Sequence, residues 1–414
     1  MLKSKCMNLR AMKGFTLNEL LIVIAILAVM AGSAVIVLNP GELLGQGRDS
    51  KRIGELNSLA SAITLHTNSV VGGYKGELNT VYISLPDTSE NCGGISSSLP
   101  SLPAGWSYHC ALEGDLRKTD GDGWLPLNFD AMPGGSPFNQ LPIDPENSAT
   151  NNLYFAYVKS STGYALATLL ESEKQGKNAY EDGGSDLSRF EVGSDLSIWS
   201  TASGVVGYWP FNGSGNVSDG QTGGFEDYSG SGNDGTASNV NGAGMSFISG
   251  KIGSAIKLDG ADDHVRCGTN PSLTPANISV IAWAKGDSFS SWHGIISNMT
   301  SWGTGFSLQM GPTQKIAAMV SGSYLTTSWA PQTGTWYHVA ATHQASNNLN
   351  ILYVNGKEEN RSTQSISYEP GAKTYIGVFY TSPSLLFNGT IDEVMVYNRA
   401  LSPYEVRAIY NATK

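Results

Sequence analysis

Charge is scarce in this chain. Charged residues make up 14% of its 414 positions, and the basic ones are the rarer kind: Lys plus Arg number 25 against 35 Asp plus Glu, a net charge of −10. A protein that neutralises phosphates needs clustered basic surface, so nucleic acid is excluded as an expected partner. Sulfur is scarce too. The four cysteines are Cys6, Cys92, Cys110 and Cys267, with no Cys-x-x-Cys pair, which argues against a zinc site. Cys92 and Cys110 sit 18 apart in a Gly/Ser/Pro-rich stretch and can bond in an oxidising compartment. Cys267 is left over and reads as a small buried residue. Catalytic signatures are also missing. There is no Glu-x-Asp-x-x-Glu run for glycoside hydrolysis, no Gly-x-Ser-x-Gly elbow and no His-Glu-x-x-His pair. Asp392 and Glu393 are adjacent, so on a regular strand they point to opposite faces. His264, His293, His338 and His343 are scattered, and His338 beside Trp336 reads as a packed core residue. The expectation is that the chain is not an enzyme.

What is present begins at the N-terminus. Residues 15–38 form a long apolar run with one acid, Glu19, near its start. As a helix this run is about 36 Å long, enough to span a bilayer. A charge at a bilayer centre costs about 2.5–3.5 kcal/mol, so Glu19 needs a role and a partner. The preceding segment Met1–Gly14 holds Lys3, Lys5, Arg10 and Lys13 and no acid, so it should stay cytoplasmic. Its loss would leave 21 basic against 35 acidic residues. A secretory signal is cut after its apolar region; here the small residue, Gly14, comes before it. A cut after Gly14 retains the apolar helix and frees an amine on Phe15, four residues from Glu19.

The run Gly14-Phe15-Thr16-Leu17-Asn18-Glu19 resembles the N-terminus of type IV pilins and of type II secretion pseudopilins. The resemblance implies cleavage between Gly14 and Phe15 and N-methylation of Phe15, both by a prepilin peptidase. It also implies assembly with other pilin subunits through the apolar helix, with Glu19 pairing to a neighbour's Phe15 amine.

Asn39-Pro40-Gly41 should kink or break the helix. Ile53, Leu56, Leu59, Ala60 and Ile63 then recur at helical steps, with Arg48, Lys51, Arg52 and Glu55 assigned to the other side. Val81–Leu85, Leu153–Val158 and Gly163–Leu170 read as strands. Between them lies a Pro-rich loop with Asp120, Asp122 and Asp130, which read as solvated acids rather than a calcium loop. Glu171–Asp195 is polar and reads as the close of this domain and a linker.

From about residue 200 short β-rich runs alternate with Gly/Asn/Asp/Ser turns, the pattern of an all-β sandwich. Asn355-Gly356 marks a hairpin. Tyr208–Asn212, Asp227–Thr236, Ala255–Gly260, Asp262–Val265 and Gly389–Ser402 together resemble laminin-G-like, concanavalin-A-type jelly rolls. Members of that family often bind structural calcium at the positions of Asp227, Asn233 and Asp392. The competing reading is that Asp227 and Asn233 only make Asx-turns, and both readings stand at this point. Trp292, Trp302, Tyr324, Trp329 and Tyr380 fall in or near loops, where they either stack on sugar rings or pack the rim.

The expected fold is therefore α+β and multidomain: a long N-terminal hydrophobic helix with a small pilin-type antiparallel sheet, then a jelly-roll sandwich. The expected divisions are a leader over 1–14, a transmembrane and filament-core helix over 15–38, a pilin-like domain and linker over 39–199, and a sandwich over 200–414. The expected function is a minor or tip pilin-like subunit. It would sit in the inner membrane before assembly and on the cell surface afterwards, displaying a lectin-like domain toward a carbohydrate or surface protein. The alternative is a pseudopilin of a secretion or DNA-uptake machine, with the sandwich as a protein-interaction module.

Overall fold

A computed structural model of the chain describes residues 16–70, 72, 74–184, 186–240, 244–289, 292–311, 315–379 and 385–414, without the side chains of 31–38 and 200. Gly14 and Phe15, the expected cleavage and methylation positions, and Tyr380 lie outside the described residues.

Helix α1 (Leu17–Leu38) begins at a capping box: Thr16 caps the Glu19 amide and Glu19 reaches back to the Thr16 amide. It ends at Asn39, whose left-handed φ of 39° turns the chain, and Pro40 opens α2 (Pro40–Ser69) at a position where its missing N–H costs nothing. Among the described residues no helix is long and apolar enough to cross a membrane. The backbone of α1 covers 22 residues, but its described side chains stop at Met30.

One stripe of α2 is buried: Gly45, Asp49, Arg52, Leu56, Leu59, Ile63 and His66 recur at three- and four-residue steps. Arg52 belongs to this stripe and not to the solvent side assigned from the sequence. Three carboxylates meet it inside the domain, which lets a guanidinium occupy an apolar face. The stripe packs on a five-stranded sheet of β1 (Thr80–Asp87), β2 (Ser107–Leu112), β3 (Ala156–Lys159), β4 (Tyr164–Leu169) and β5 (Arg189–Gly193), in the order β2-β1-β3-β4-β5. The sheet is mixed rather than antiparallel, because β1 and β2 run parallel. A tight hairpin cannot join parallel strands. The long connection between β1 and β2 makes the crossover, and the Cys92–Cys110 disulfide ties it to β2.

The polar stretch expected to be a linker is structured. It forms the short helices α3 (Glu173–Gly176) and α4 (Asn178–Glu181) and the edge strand β5; α5 (Ser197–Ser203) follows. Some of its polar residues make local hydrogen bonds, such as Ser188 to Asp186 and the Glu191 amide to Asp182, while Glu171 reaches Arg52 and Arg189 reaches Glu405.

The remaining chain is a two-sheet β-sandwich. In chain order its strands are β6 (Val205–Trp209), β7 (Gly215–Asn216), β8 (Thr236–Ser238), β9 (Ser246–Ser249), β10 (Ser254–Asp259), β11 (His264–Arg266), β12 (Ile278–Gly286) and β13 (His293–Asn298). They continue as β14 (Phe306–Gly311), β15 (Lys315–Val320), β16 (Ser323–Thr326), β17 (Tyr337–Gln344), β18 (Leu349–Val354), β19 (Lys357–Thr363), β20 (Tyr375–Ile376) and β21 (Asn388–Tyr397), closed by helix α6 (Pro403–Thr413). One sheet has nine strands, β19-β18-β17-β12-β21-β10-β9-β7 with β6 also on β21; the other has seven, β16-β15-β14-β13-β20-β11-β8. Inward residues of both, among them Trp209, Phe225, Ile256, Val280, Leu308 and Val394, share one core. Asn355 and Gly356 join β18 to β19 with φ of 50° and 71°, as a type I′ turn requires.

Strand β21 carries a bulge. Ile281 faces Met395 while Trp283 faces Asp392, so one extra residue is inserted, and Glu393 takes φ of 48°. Ile391 and Val394 both point into the sandwich core. Asp392 and Glu393 between them therefore lie on the same outer side, not on opposite faces as regular alternation demands.

Candidate functional site

Glu19 sits in the first turn of α1. Its Oε2 accepts from the Thr16 amide at 2.8 Å and the Thr16 hydroxyl at 2.9 Å. All described side chains of α1 are exposed, so this helix presents an apolar surface, with Leu17 79% and Val29 74% exposed. Glu19 is held by its own helix and must leave that cap to meet another group.

The sheet domain and the sandwich are joined by a buried polar and apolar seam. Helix α6 lies across it. Gly176 of α3 packs so close to Asn411 that a Cβ there would stand 2.8 Å from the Asn411 Cβ. Leu187 shares an apolar cluster with Met395, Tyr397, Val406 and Ile409. At the centre Glu405 pairs with Arg399 at 2.9 Å and stands 3.7 Å from Arg189. Burial alone would raise the Glu405 carboxyl, but the two guanidiniums outweigh it and hold it below the ordinary range. Asn152 Nδ2 donates to Ser402 Oγ and the Tyr404 hydroxyl to Asn151 Oδ1.

On the seven-stranded sheet, Phe306, Leu308 and Met310 point inward, so Ser307 and Gln309 face outward and are hydrogen-bonded to each other. Aromatic rings gather over this side. Trp292 stacks on Tyr324 with centroids 5.5 Å apart; Trp302 contacts Tyr324 at 6.0 Å and Phe379 at 5.9 Å. Trp292 also lies over Gly311, where a Cβ would clash with its ring. Only Trp302 of this group is largely exposed, at 58%. Trp329 packs against Tyr337 and donates to Glu359, so it belongs to the rim. His338 is fully buried between Trp283 and Tyr410, and burial lowers its imidazole to about 3, which keeps it neutral.

The structure does not bring the three expected calcium ligands together. Asp227 Oδ1 accepts from the Tyr208 and Ser229 amides, and Oδ2 from the Ser229 hydroxyl and the Asn233 amide, all at 2.9 Å. A carboxylate offers about four lone-pair sites, and here all are spent on its own loop. Asn233 Nδ2 donates to Val206 O and Ser272 Oγ. Asp392 serves a different segment: its Oδ2 accepts from the Lys251 and Ile252 amides. Asp227 ties the loop between β7 and β8 to β6, and Asp392 organises the loop before β10. Asp227 and Asp392 thus spend oxygens on amides of two different loops, while Asn233 Oδ1 is buried without a partner.

A second acidic group does converge. Asp259, Asp262 and Asp263, in the turn between β10 and β11, place ligand oxygens within 4.8 Å of one another and could hold a metal ion. Burial pushes the Asp263 carboxyl up to about 7, and the neighbouring Asp259 charge adds to it. Sequence reading took this stretch as part of a strand pair. The signal was there: Asp-Gly-x-Asp-Asp compresses three acids into one tight turn.

Residues 9–35 match the family described as the prokaryotic N-terminal methylation motif. Residues 259–407 match the concanavalin A-like lectin/glucanases superfamily, as a laminin-G-type domain. No curated protein matches the chain. Among solved structures it is similar to domain 4 of AbnA, an extracellular arabinanase from Geobacillus stearothermophilus, in complex with arabinotriose. That likeness has 22% identity, covers 50% of this chain and 97% of that one, and has a TM-score of 0.40. It is also similar to a sialidase of Trypanosoma rangeli, at 12% identity, covering 63% of this chain and 47% of that one, with a TM-score of 0.40.

Proposed function

We propose that the chain is a minor or tip subunit of a type IV pilus-like fibre that presents a carbohydrate-binding domain outside the cell. The observation that carries this reading is the union of two features in one chain: an N-terminal methylation motif and a concanavalin A-like domain. Together they fit a pilin-like surface subunit. On this reading the apolar α1 first anchors the chain in the inner membrane. After a prepilin peptidase cuts at Gly14, α1 packs into the fibre core with other subunits, and Glu19 exchanges its intrahelical cap for the Phe15 amine of a neighbour. The five-stranded sheet packed on α2 is read as the pilin-type body. The large sandwich favours a low-copy position, because a major subunit must pack sideways in every copy. The buried seam supports display at a fixed angle rather than on a tether.

The sandwich is read as a binding module and not as an enzyme. Asp392 and Glu393 share a face, but both are fully buried, and Glu393 accepts from the Tyr208 hydroxyl. A substrate has no access to them. The aromatic group around Trp302 is the ligand surface this reading favours, since an exposed indole held by Tyr324 and Phe379 suits sugar stacking.

Sheared surface fibres test the proposal. The subunit should be present at low stoichiometry and begin with N-methylated Phe15 by mass spectrometry, and Glu19→Ala should deplete it from fibres while membrane insertion persists. On a glycan array, the chain from Pro40 onward should lose binding on Trp302→Ala. A mature N-terminus downstream of Leu38 would overturn the fibre reading.

A further inference from the structure

The turn after β10 is where the chain leaves the nine-stranded sheet and enters the seven-stranded one through β11. Asp259 ends β10, Gly260 takes φ of 78°, and Asp262 and Asp263 lead into β11. Crowded acids in an exposed turn mean little by themselves. Asp263 differs from its neighbours because its side chain is fully buried, and neither carboxylate oxygen finds a partner outside the turn itself, where Asp259 alone reaches it. No basic side chain ranks among the groups that act on it most strongly; the charged ones that do are Asp259 and Asp262. A buried carboxylate flanked by two more needs a positive charge or a proton.

The geometry suits one ion. Ligands on opposite sides of a calcium ion stand about 4.6–5.2 Å apart, twice its bond length of 2.3–2.6 Å. The three ligand oxygens lie within 4.8 Å of one another. The donors are all carboxylate oxygens, which suit a hard cation rather than zinc or copper. His264 Nδ1 faces the Asp262 carbonyl at 3.2 Å. Gly244 shapes the floor: a Cβ there would lie 2.5 Å from Asp263 Oδ1, so any larger residue would crowd the carboxylate.

We infer that Asp259, Asp262 and Asp263 bind one divalent cation of the calcium class, which staples the crossover between the two sheets of the sandwich. Three carboxylates supply up to six oxygens, and water or backbone carbonyls complete the shell. The inference is independent of the fibre reading and of what the sandwich binds.

Full-length chain in detergent, stripped with EGTA, is titrated with calcium chloride by calorimetry and by equilibrium dialysis. One calcium per chain should bind, and the melting temperature should rise with calcium concentration. Asp263→Asn keeps the shape of the site and removes its central charge, so affinity should fall at least tenfold while the EGTA-state circular dichroism is unchanged. Asp259→Asn, at an exposed position that does not threaten the fold, should also weaken binding. Asp227→Asn should leave it intact. No saturable binding up to millimolar calcium would overturn the inference, as would wild-type binding in both Asp263→Asn and Asp259→Asn.

Discussion

A buried cluster in the sheet domain and a buried pair in the sandwich handle charge in opposite ways. In the sheet domain Arg52 is fully buried, with Nε 2.6 Å from Asp144, and Nη1 2.8 Å from Asp49 and 2.6 Å from Glu171. Burial works against its charge, but Asp144 and Glu171 outweigh it, so the guanidinium stays held above its ordinary range. In the sandwich Asp392 and Glu393 are equally buried, and the groups that act on them most strongly include no cation. Burial pushes Asp392 up to about 7 and Glu393 up to about 8. A compensated cluster is a permanent lock: it holds α2 to the loop at Asp144 and the segment at Glu171 across the whole physiological range. An uncompensated one is conditional, because its stability depends on what neutralises it.

The largest effect should come from breaking the lock. Arg52→Leu strands Asp49 and Asp144 in the interior, and loss of one partner from a buried pair costs about 3–5 kcal/mol. Denaturant unfolding at pH 7 should show this loss. A change below about 1 kcal/mol would mean that the carboxylates rehydrate and that the cluster is not a lock.

The seam between the two regions should respond less. Glu405→Gln keeps the size of the side chain but removes the carboxylate closest to Arg399 and Arg189, leaving buried Asp186 as the acid that acts on both. The expected cost is about 2–3 kcal/mol. The form of the transition matters more than its midpoint. If the seam couples the two regions, calorimetry should turn one cooperative transition into two. Two transitions already present in the wild type would show that the regions melt independently.

The same contrast marks what the sequence could reveal. Local signals carried part of the sandwich, the Asn355-Gly356 turn and the short apolar run of β12, while the run through β21 was legible through its resemblance to laminin-G-like domains. Helical spacing likewise found α2. What escaped depends on distant partners. Arg52 reads as a solvent-facing residue until Asp144 and Glu171, far along the chain, are placed beside it. The stretch from Glu171 to Asp195 looks like a linker because its few apolar residues, such as Leu187, are buried only by the sandwich, and two of its charges, Glu171 and Arg189, meet partners far along the chain. The parallel pairing of β1 and β2 needs a long crossover that no periodicity announces. Asp227, Asn233 and Asp392 are donors of the right chemistry, but only coordinates reveal that backbone amides had already claimed Asp227. The bulge at Glu393 is a single inserted residue, and it moved Glu393 to the same side as Asp392.

That bulge gives the smallest expected effect and the sharpest test of the contrast. The Glu393 carboxyl is raised from 4.5 to about 8 in the folded chain, first by burial and then by repulsion from Asp392. Between those values the folded state keeps a proton that the unfolded state has released. Stability contributed by this proton is complete below about pH 4.5 and is lost as pH rises toward 8. Asp392 has the same sign, over the window from 3.8 to about 7. Glu393→Gln imitates the protonated form and still offers an oxygen to the Tyr208 hydroxyl. The variant should match the wild type near pH 5 and exceed it near pH 8. The difference should grow with pH across this interval by less than about 1.36 kcal/mol per pH unit, because Asp392 shares the effect. Parallel pH–stability curves for wild type and Glu393→Gln would show that water or a cation already reaches the bulge, and that it is as compensated as the Arg52 cluster.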